Sequence, residues 1–370
     1  MKSNEEQWQQ WRRERLAKKQ AKRVFETRRA AFVDTQRRVL EDARLSPYSY
    51  YVTKTILNAV REDCEEPAPN TPTAHFCEED AYSRMMDMRC LGSSRGRKFL
   101  GIREKEERIY VQRGELVDTA RKLSLAHPDK LVVVVNPGSA TSPGGYVHIG
   151  ADGVEENLCI CSNLYSTLVG ENIWKAFYKK NLADEDDEAT NACICSNYIT
   201  IFKKILESVP QFLPESEWGH VNVITCAPPD MAGGHMSSPA KRVFIHERED
   251  RFDMTDSLVK TALFSLHFLR GRAICECALN PLWVDEKKSE KILVLPAFGC
   301  DYRENPPDIV AEAYAALMKT YAKVFDTVVF AVGEHCDVFR EVFQKQGLTL
   351  RECADEDAAS EESEKLPELN

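Results

Sequence analysis

Two adjacent glutamates, Glu155 and Glu156, begin a segment that the sequence predicts to be helical. They follow the loop NPGSATSPGGY, which opens at Asn136 at the end of five apolar residues. Glycines let backbone N–H groups converge on an anion, and a carboxyl group can move a proton. The pattern favours a site that holds a phosphate-bearing ligand and acts on it with a carboxylate. The alternative is structural: tight turns explain the glycines, and the helix dipole favours acids in a first turn.

Composition narrows the class of protein. The chain has 370 residues, 43% of them hydrophobic, and no apolar run close to the roughly 20 residues that cross a bilayer. Thirteen scattered cysteines favour reduced thiols over a disulfide framework, so we expect a soluble protein of the cytoplasm or nucleus. The net charge of −10 disfavours direct nucleic-acid binding.

Apolar strands alternate with helical segments along the middle of the chain. The predicted strands cover 109–113, 131–136, 221–228, 291–299 and 327–332, and the predicted helices 114–128, 155–169, 254–273 and 306–325. Strands that are apolar on both faces and alternate with helices indicate an α/β sandwich with a mostly parallel sheet.

The two ends of the chain differ from the middle. Residues 7–44 contain no Gly or Pro and predict one long helix or two, with Phe25, Phe32 and Val39 along one face. This basic helix either packs its apolar stripe on the main domain or serves as a binding arm. Residues 61–82 predict a loop, and the acidic end of the chain predicts disorder.

Three unusual loops follow predicted strands, after Asn136, Cys226 and Leu295. In an open α/β sheet, ligands lie beyond the carboxyl ends of the strands. We therefore expect these loops to form the functional site together.

An ordered series of motifs carries a resemblance. The run from Asn136 to Tyr165, NPGSATSPGGYVHIGADGVEENLCICSNLY, resembles the signature of the bacterial-type poly(ADP-ribose) glycohydrolases, a macrodomain family. Further matches are VITCAPPD (223–230), LVLPAFGC (293–300), NPP (305–307) and FDTVVFAV (325–332).

The resemblance implies a fold and a division of the chain. The fold is a macrodomain-like three-layer α/β/α sandwich with a mixed, mostly parallel sheet and extra N-terminal helices. Residues 1–95 form a helical extension whose C-terminal part packs on the core, 96–350 the catalytic domain, and 351–370 a disordered acidic tail.

It also implies an activity: hydrolysis of ribose–ribose bonds in poly(ADP-ribose), with release of ADP-ribose and without a cofactor. Glu156 is then the general acid and base, and Glu155 holds ribose hydroxyls. The implied partners are poly(ADP-ribose) or ADP-ribosylated proteins. The residues expected to bind the ligand are Asn136, Ser142, Gly144, Gly145, Tyr146, Ala297, Phe298, Gly299, Cys300 and Arg303.

The chain departs from the family pattern at several positions. Tyr146 replaces a third glycine, Val154 replaces a glutamine, and Asp301 brings a negative charge to a loop expected to hold a diphosphate, where Arg303 could neutralise it. An alternative function therefore stays open: a degenerate macrodomain that binds ADP-ribose or another protein without catalysis.

The cysteines and histidines are weaker candidates for functional residues than the glutamates. The pairs Cys159/Cys161, Cys193/Cys195 and Cys275/Cys277 lack the usual spacing of structural zinc ligands, so no metal site is predicted. His148 and His235 fall in candidate loops and are more typical of surface residues.

Overall fold

The computed structural model describes residues 4–42, 44–45, 73–77, 105–183, 191–231, 257–279 and 290–351. The strands are β1 (Thr73–Cys77), β2 (Ile109–Gln112), β3 (Leu131–Pro137), β4 (Cys193–Ile201), β5 (Lys203–Leu206), β6 (Val209–Phe212), β7 (Gly219–Cys226), β8 (Lys291–Leu295), β9 (Thr327–Ala331) and β10 (Leu350–Arg351).

Helices precede, separate and follow these strands. They are α1 (Asn4–Glu41), α2 (Leu116–Ala126), α3 (Val154–Cys161), α4 (Leu164–Leu168), α5 (Glu171–Ile173), α6 (Lys179–Ala183), α7 (Ser257–Leu279), α8 (Pro307–Tyr321) and α9 (Cys336–Lys345). A π-helical turn, Trp174–Tyr178, joins α5 to α6, and short 3-10 turns cover Val147–Ile149, Glu215–Glu217 and Gly333–His335.

Eight strands form one mixed sheet in the order β1-β4-β7-β3-β8-β9-β2-β10. The pairs β1·β4 and β4·β7 are antiparallel, and the other five are parallel. The prediction of a mixed, mostly parallel sheet is therefore confirmed. β5 and β6 form a separate antiparallel hairpin.

Both faces of the sheet are covered. Along β3, Val132 and Val134 pack into the cluster that includes Leu158 of α3, whereas Val133 and Val135 pack into the cluster that includes Tyr314 of α8. Successive side chains of a strand point to opposite faces, so the apolar run of β3 supplies both cores. The expected three-layer α/β/α sandwich is confirmed.

The N-terminal helix is a single helix that packs on the layer containing α3. Phe32 and Val39 of the predicted apolar face are buried, while Phe25 is half-exposed. Lys203 of β5 is buried against it and donates to the carboxylate of Asp34 and the hydroxyl of Thr35.

Some sequence predictions of elements are wrong. The helix expected over 155–169 is divided into α3 and α4, because the Ser162 hydroxyl donates to the Leu158 carbonyl and accepts the Leu164 N–H. Asn163 also accepts the Thr200 N–H, which ties the break to β4. The loop expected over 61–82 contains β1, and β4 itself was not predicted.

The proposed domain boundaries stay predictions. β1 precedes residue 96 and still forms an edge strand of the main sheet, paired with β4. The predicted disordered tail lies outside the described residues apart from Arg351. Within the described ranges, no helix has the length and apolar character needed to span a membrane.

Candidate active site

Three loops meet at the carboxyl ends of the neighbouring strands β7, β3 and β8. The β3 loop covers 138–153, the β7 loop 227–231 and the β8 loop 296–306. Gly138 N–H donates to the Cys226 carbonyl at 3.1 Å, and Arg303 Nη2 donates to the Gly138 carbonyl at 3.0 Å. Met231 N–H donates to the Arg303 carbonyl at 2.9 Å. The expected meeting of the loops is confirmed.

The β8 loop is held by a buried asparagine. Asn305 Nδ2 donates to the carbonyls of Pro229, at 2.7 Å, and Gly299, at 2.9 Å. Its Oδ1 lies 3.0 Å from Nε2 of His267 on α7, and burial lowers the pKa of that histidine to about 3. The neutral imidazole of His267 therefore links the β8 loop to α7 through Asn305. Gly299 has φ +76° and lies against Pro228, where a Cβ would be 2.6 Å from the proline Cβ.

The glycines of the β3 loop make room for the glutamates. Gly144 and Gly145 have φ +70° and +59°, a region that side chains other than glycine rarely adopt. A Cβ on Gly145 would lie 2.4 Å from Glu156 Oε1, and one on Gly144 would lie 2.7 Å from the Tyr165 ring. The loop can thus close over both carboxylates.

Glu155 is 1% exposed and is bound by the β3 loop. Its Oε2 accepts the Ser139 N–H at 2.7 Å, and its Oε1 accepts the Gly144 N–H at 3.1 Å. The pKa of Glu155 is raised to about 8, first by burial and then by the charge of Glu156, against the opposing effects of the Ser139 and Gly144 amides and of Arg303. Burial, more than the neighbouring carboxylate, is the cause of the raised pKa.

Glu156 is also 1% exposed, but only one of its two carboxylate oxygens has a hydrogen-bond partner among the described residues. Its Oε1 accepts the Tyr146 N–H at 2.9 Å, whereas Oε2 has no hydrogen-bond partner among the described residues. A Cβ on Gly153 would lie 2.4 Å from this Oε2 and 3.1 Å from Cε1 of Tyr302, which is 45% exposed. Buried polar atoms are seldom left unpaired, so Oε2 is free to bind a ligand beside an open aromatic ring.

Arg303 brings a positive charge under the same site. Its guanidinium is buried, its Nη2 also donates to the Tyr302 hydroxyl at 3.3 Å, and its Nε has no partner in the described part of the chain. The exposed Asp301 accepts the Arg303 N–H through Oδ1 at 3.4 Å. The loop therefore carries an arginine at its base and a carboxylate on its surface.

Asn136 is the second-last residue of β3 and lies just before the β3 loop. It is fully buried, and its Nδ2 donates to the Thr225 hydroxyl at 3.0 Å. Its Oδ1 has no partner among the described residues, so this oxygen can accept a hydrogen bond from a ligand.

The other predicted ligand residues differ in what they can offer. Tyr146 is exposed beside the site, whereas the Ser142 hydroxyl is used within the loop, donating to the Gly145 carbonyl at 3.1 Å. Phe298 is fully buried against His267, and Cys300 packs on the same core. Phe298 can therefore reach a ligand only through its backbone. Ala297 is half-buried at the start of the β8 loop.

Sequence reasoning missed Tyr302 and Ser139. Tyr302 follows Asp301 and could have been noticed as an aromatic residue next to an arginine, whereas Ser139 acts through its backbone and leaves no signal in its residue type. His148 is exposed on a 3-10 turn, and His235 lies outside the described residues. Among the described residues, no group of three or more His, Cys, Asp or Glu could hold a metal ion.

Fold and site together define a macrodomain-like α/β protein with a buried pair of glutamates under a glycine loop. The family model of the catalytic domain of microbial-type poly(ADP-ribose) glycohydrolases matches residues 79–204, less than half of the chain but including the β3 loop and both glutamates. The resemblance expected from the sequence is confirmed. A comparison with curated proteins finds no match.

Solved structures show the same fold. The poly(ADP-ribose) glycohydrolase of Thermomonospora curvata bound to the inhibitor ADP-HPD is 21% identical, with a TM-score of 0.56 over 87% of this chain and 99% of that chain. The enzyme of Deinococcus radiodurans in complex with ADP-ribose is 22% identical, with a TM-score of 0.54 over 76% and 99%. At these identities the likeness establishes the fold alone.

Proposed function

We propose that this protein hydrolyses the ribose–ribose glycosidic bonds of poly(ADP-ribose) and releases ADP-ribose. The observation that carries the proposal is the buried Oε2 of Glu156, which has no partner among the described residues, at the edge of a loop whose amides hold both glutamates. A glycosidase needs one carboxyl group placed to give a proton to the leaving oxygen and to take one from water.

Glu156 is the proposed general acid and base. Protonated, it donates to the ribose oxygen that leaves as the glycosidic bond breaks; as a carboxylate, it then accepts a proton from the attacking water. The Tyr146 N–H donates to Oε1 and so orients the carboxyl group, which leaves Oε2 to donate and accept the proton. Glu155, held by two amides, is the proposed acceptor for ribose hydroxyls.

The rest of the ligand requires donors for a diphosphate. The first turn of α3 and the turns of the β3 and β8 loops present backbone N–H groups, and Arg303 adds a cation whose Nε has no partner in the described chain. We propose that Asn136, Ser142, Gly144, Gly145 and Tyr146 line one side of the ligand, and that Ala297, Phe298, Gly299, Cys300 and Arg303 line the other.

The test pairs turnover with binding. Glu156→Gln should reduce ADP-ribose release from poly(ADP-ribose) at least a thousandfold, because the amide cannot exchange a proton, while ADP-ribose affinity by calorimetry stays within about tenfold. Glu290→Gln is the matched control, since Glu290 is an exposed acid that pairs with Lys130 just before β8, at the sheet edge opposite the three loops. Turnover by Glu156→Gln at the wild-type rate would refute the proposed role.

A second candidate is an ADP-ribose-binding module without catalysis, and Asp301 favours it. Its carboxylate accepts the Arg303 N–H, a donor that a phosphate could otherwise use, and its charge repels a diphosphate. Wild-type protein that binds ADP-ribose but releases none from the polymer would select this candidate.

The partners follow from either function. We propose poly(ADP-ribose) or ADP-ribosylated proteins as ligands, met in the cytoplasm or nucleus. The described cysteines form no disulfide, which supports a reducing compartment.

A further inference from the structure

The N-terminal helix α1 touches the β3 loop directly. Gly150 of the loop has φ +90°, and a Cβ there would lie 2.2 Å from the carbonyl oxygen of Phe25. The backbones of loop and helix therefore meet without a side chain between them. Val147 of the loop is fully buried in the same cluster as Phe32 of α1.

A single buried arginine makes most of the polar contacts between the two. Arg28 of α1 is 0% exposed, and its Nε and Nη2 donate to the Ala151 carbonyl at 3.1 and 3.0 Å. Nη2 also donates to the side chain of Asn157, and Nη1 lies 3.2 Å from the carboxylate of Asp152. Nη1 makes a weaker contact of 3.5 Å with the Ser208 carbonyl.

The partners of Arg28 lie on both sides of Glu156, the proposed catalytic residue, in the sequence. Ala151 and Asp152 end the β3 loop, and Asn157 is the residue after Glu156. The planar guanidinium thus joins the end of the loop to the first turn of α3, and its fork fixes the distance between them.

A second line of contact runs through aromatic side chains. The rings of Phe32 on α1 and Tyr165 on α4 lie edge to face with centroids 5.0 Å apart. Gly144 packs on the Tyr165 ring and gives its N–H to Glu155. The helix therefore supports both ends of the segment that binds the glutamates.

We propose that Arg28 is a positioning residue for the active site: through it, α1 holds the β3 loop in the shape in which the Gly144 and Tyr146 N–H groups bind Glu155 and Glu156. The inference deepens the proposed function and rests on it for its kinetic consequence. A misplacement of about 1 Å in a catalytic group can cost on the order of a hundredfold in rate.

The kinetic test compares two arginines of one helix. Arg28→Met should lower kcat for ADP-ribose release at least tenfold. Arg38→Met is the matched control, because Arg38 pairs with Asp34 and lies 4.1 Å over the Phe212 ring, away from the loop. We expect Arg38→Met to keep kcat within twofold of the wild-type value, even if its melting temperature falls as much as that of Arg28→Met. Arg28→Lys, which keeps the charge and loses the fork, should recover part of kcat.

A measurement without turnover keeps the two proposals separable. Hydrogen–deuterium exchange at the amides of 139–153, recorded well below the melting temperature, should accelerate at least tenfold in Arg28→Met and stay unchanged in Arg38→Met. If wild-type protein releases no ADP-ribose, the proposed function is refuted. The exchange rates of the loop amides in Arg28→Met and Arg38→Met then decide whether Arg28 positions the β3 loop.

Several results would overturn the positioning role. They are unchanged kcat in Arg28→Met, an equal kcat loss in both variants, or equal exchange of the loop amides. If Arg28→Met does not fold, the same comparisons are made with Arg28→Lys, where wild-type kcat and exchange would refute the proposal.

Discussion

At the scale of single residues, Gly145 decides whether Glu156 can occupy its position. Gly145→Ala places a Cβ 2.4 Å from Glu156 Oε1 at φ +59°, so we expect the carboxylate to move and kcat to fall at least tenfold. Gly333→Ala is the control, since Gly333 has φ +53° with nothing within 4 Å. It should lose only about 1 kcal/mol of stability and no activity. Equal kcat in the two variants would contradict the assignment.

The raised pKa of Glu155 gives the ligand-free protein a pH-dependent stability. Its folded-state pKa of about 8 lies above the ordinary value of 4.5, so the folded protein binds the proton more tightly than the unfolded chain. The free energy of unfolding should therefore fall as the pH rises from 4.5 to 8. Glu155→Gln removes this contribution. The melting temperature of the variant minus that of the wild type should therefore increase as the pH rises from 4.5 to 8. Parallel curves from thermal melts would show that Glu155 is not strained by its burial.

At the scale of secondary-structure elements, one buried lysine anchors α1 to the β5–β6 hairpin. Lys203 is 2% exposed and binds the Ala31 carbonyl, the Asp34 carboxylate and the Thr35 hydroxyl. Lys203→Met removes a buried donor from the Ala31 carbonyl and the Thr35 hydroxyl, and one of three donors from Asp34, so the free energy of unfolding should fall by about 2–4 kcal/mol. Arg37→Ala removes an exposed partner of the same Asp34 and should cost less than ~1 kcal/mol. Equal losses in denaturant melts would contradict this difference.

The elements also show what sequence patterns can predict. β3 and β8 were predicted because apolar runs end in loops rich in Gly and Pro, a local signal. The break between α3 and α4 was not, because it depends on Asn163 binding the Thr200 amide, a contact 37 residues away in the chain. β1 was missed for a similar reason: its surroundings of prolines and acids predict a loop, and its pairing with β4 makes it a strand.

At the scale of the whole molecule, the site exists only because three distant loops meet. A ligand that touches all three should stabilise the fold by mass action, by ~2.7 kcal/mol at a hundred times its Kd, which raises the melting temperature by several degrees. We expect ADP-ribose to raise the melting temperature of both the wild type and Glu156→Gln, and inorganic phosphate to raise it less. Thermal melts that do not respond to millimolar ADP-ribose would contradict a preserved ligand site.

The sequence by itself determined the α/β class, the parallel central strands, the catalytic candidates Glu155 and Glu156, and the glycines that cover them. These are local properties: apolar period, helix-start acids and turn residues within some thirty positions of one another. The tertiary structure alone decided that burial raises the pKa of Glu155, that Oε2 of Glu156 stays unpaired among the described residues, and that Arg28 of α1 binds the β3 loop. Desolvation and hydrogen bonding depend on which atoms surround a group, and in this site some of those atoms, such as those of Arg28 and Arg303, come from residues more than a hundred positions away from their partners in the chain.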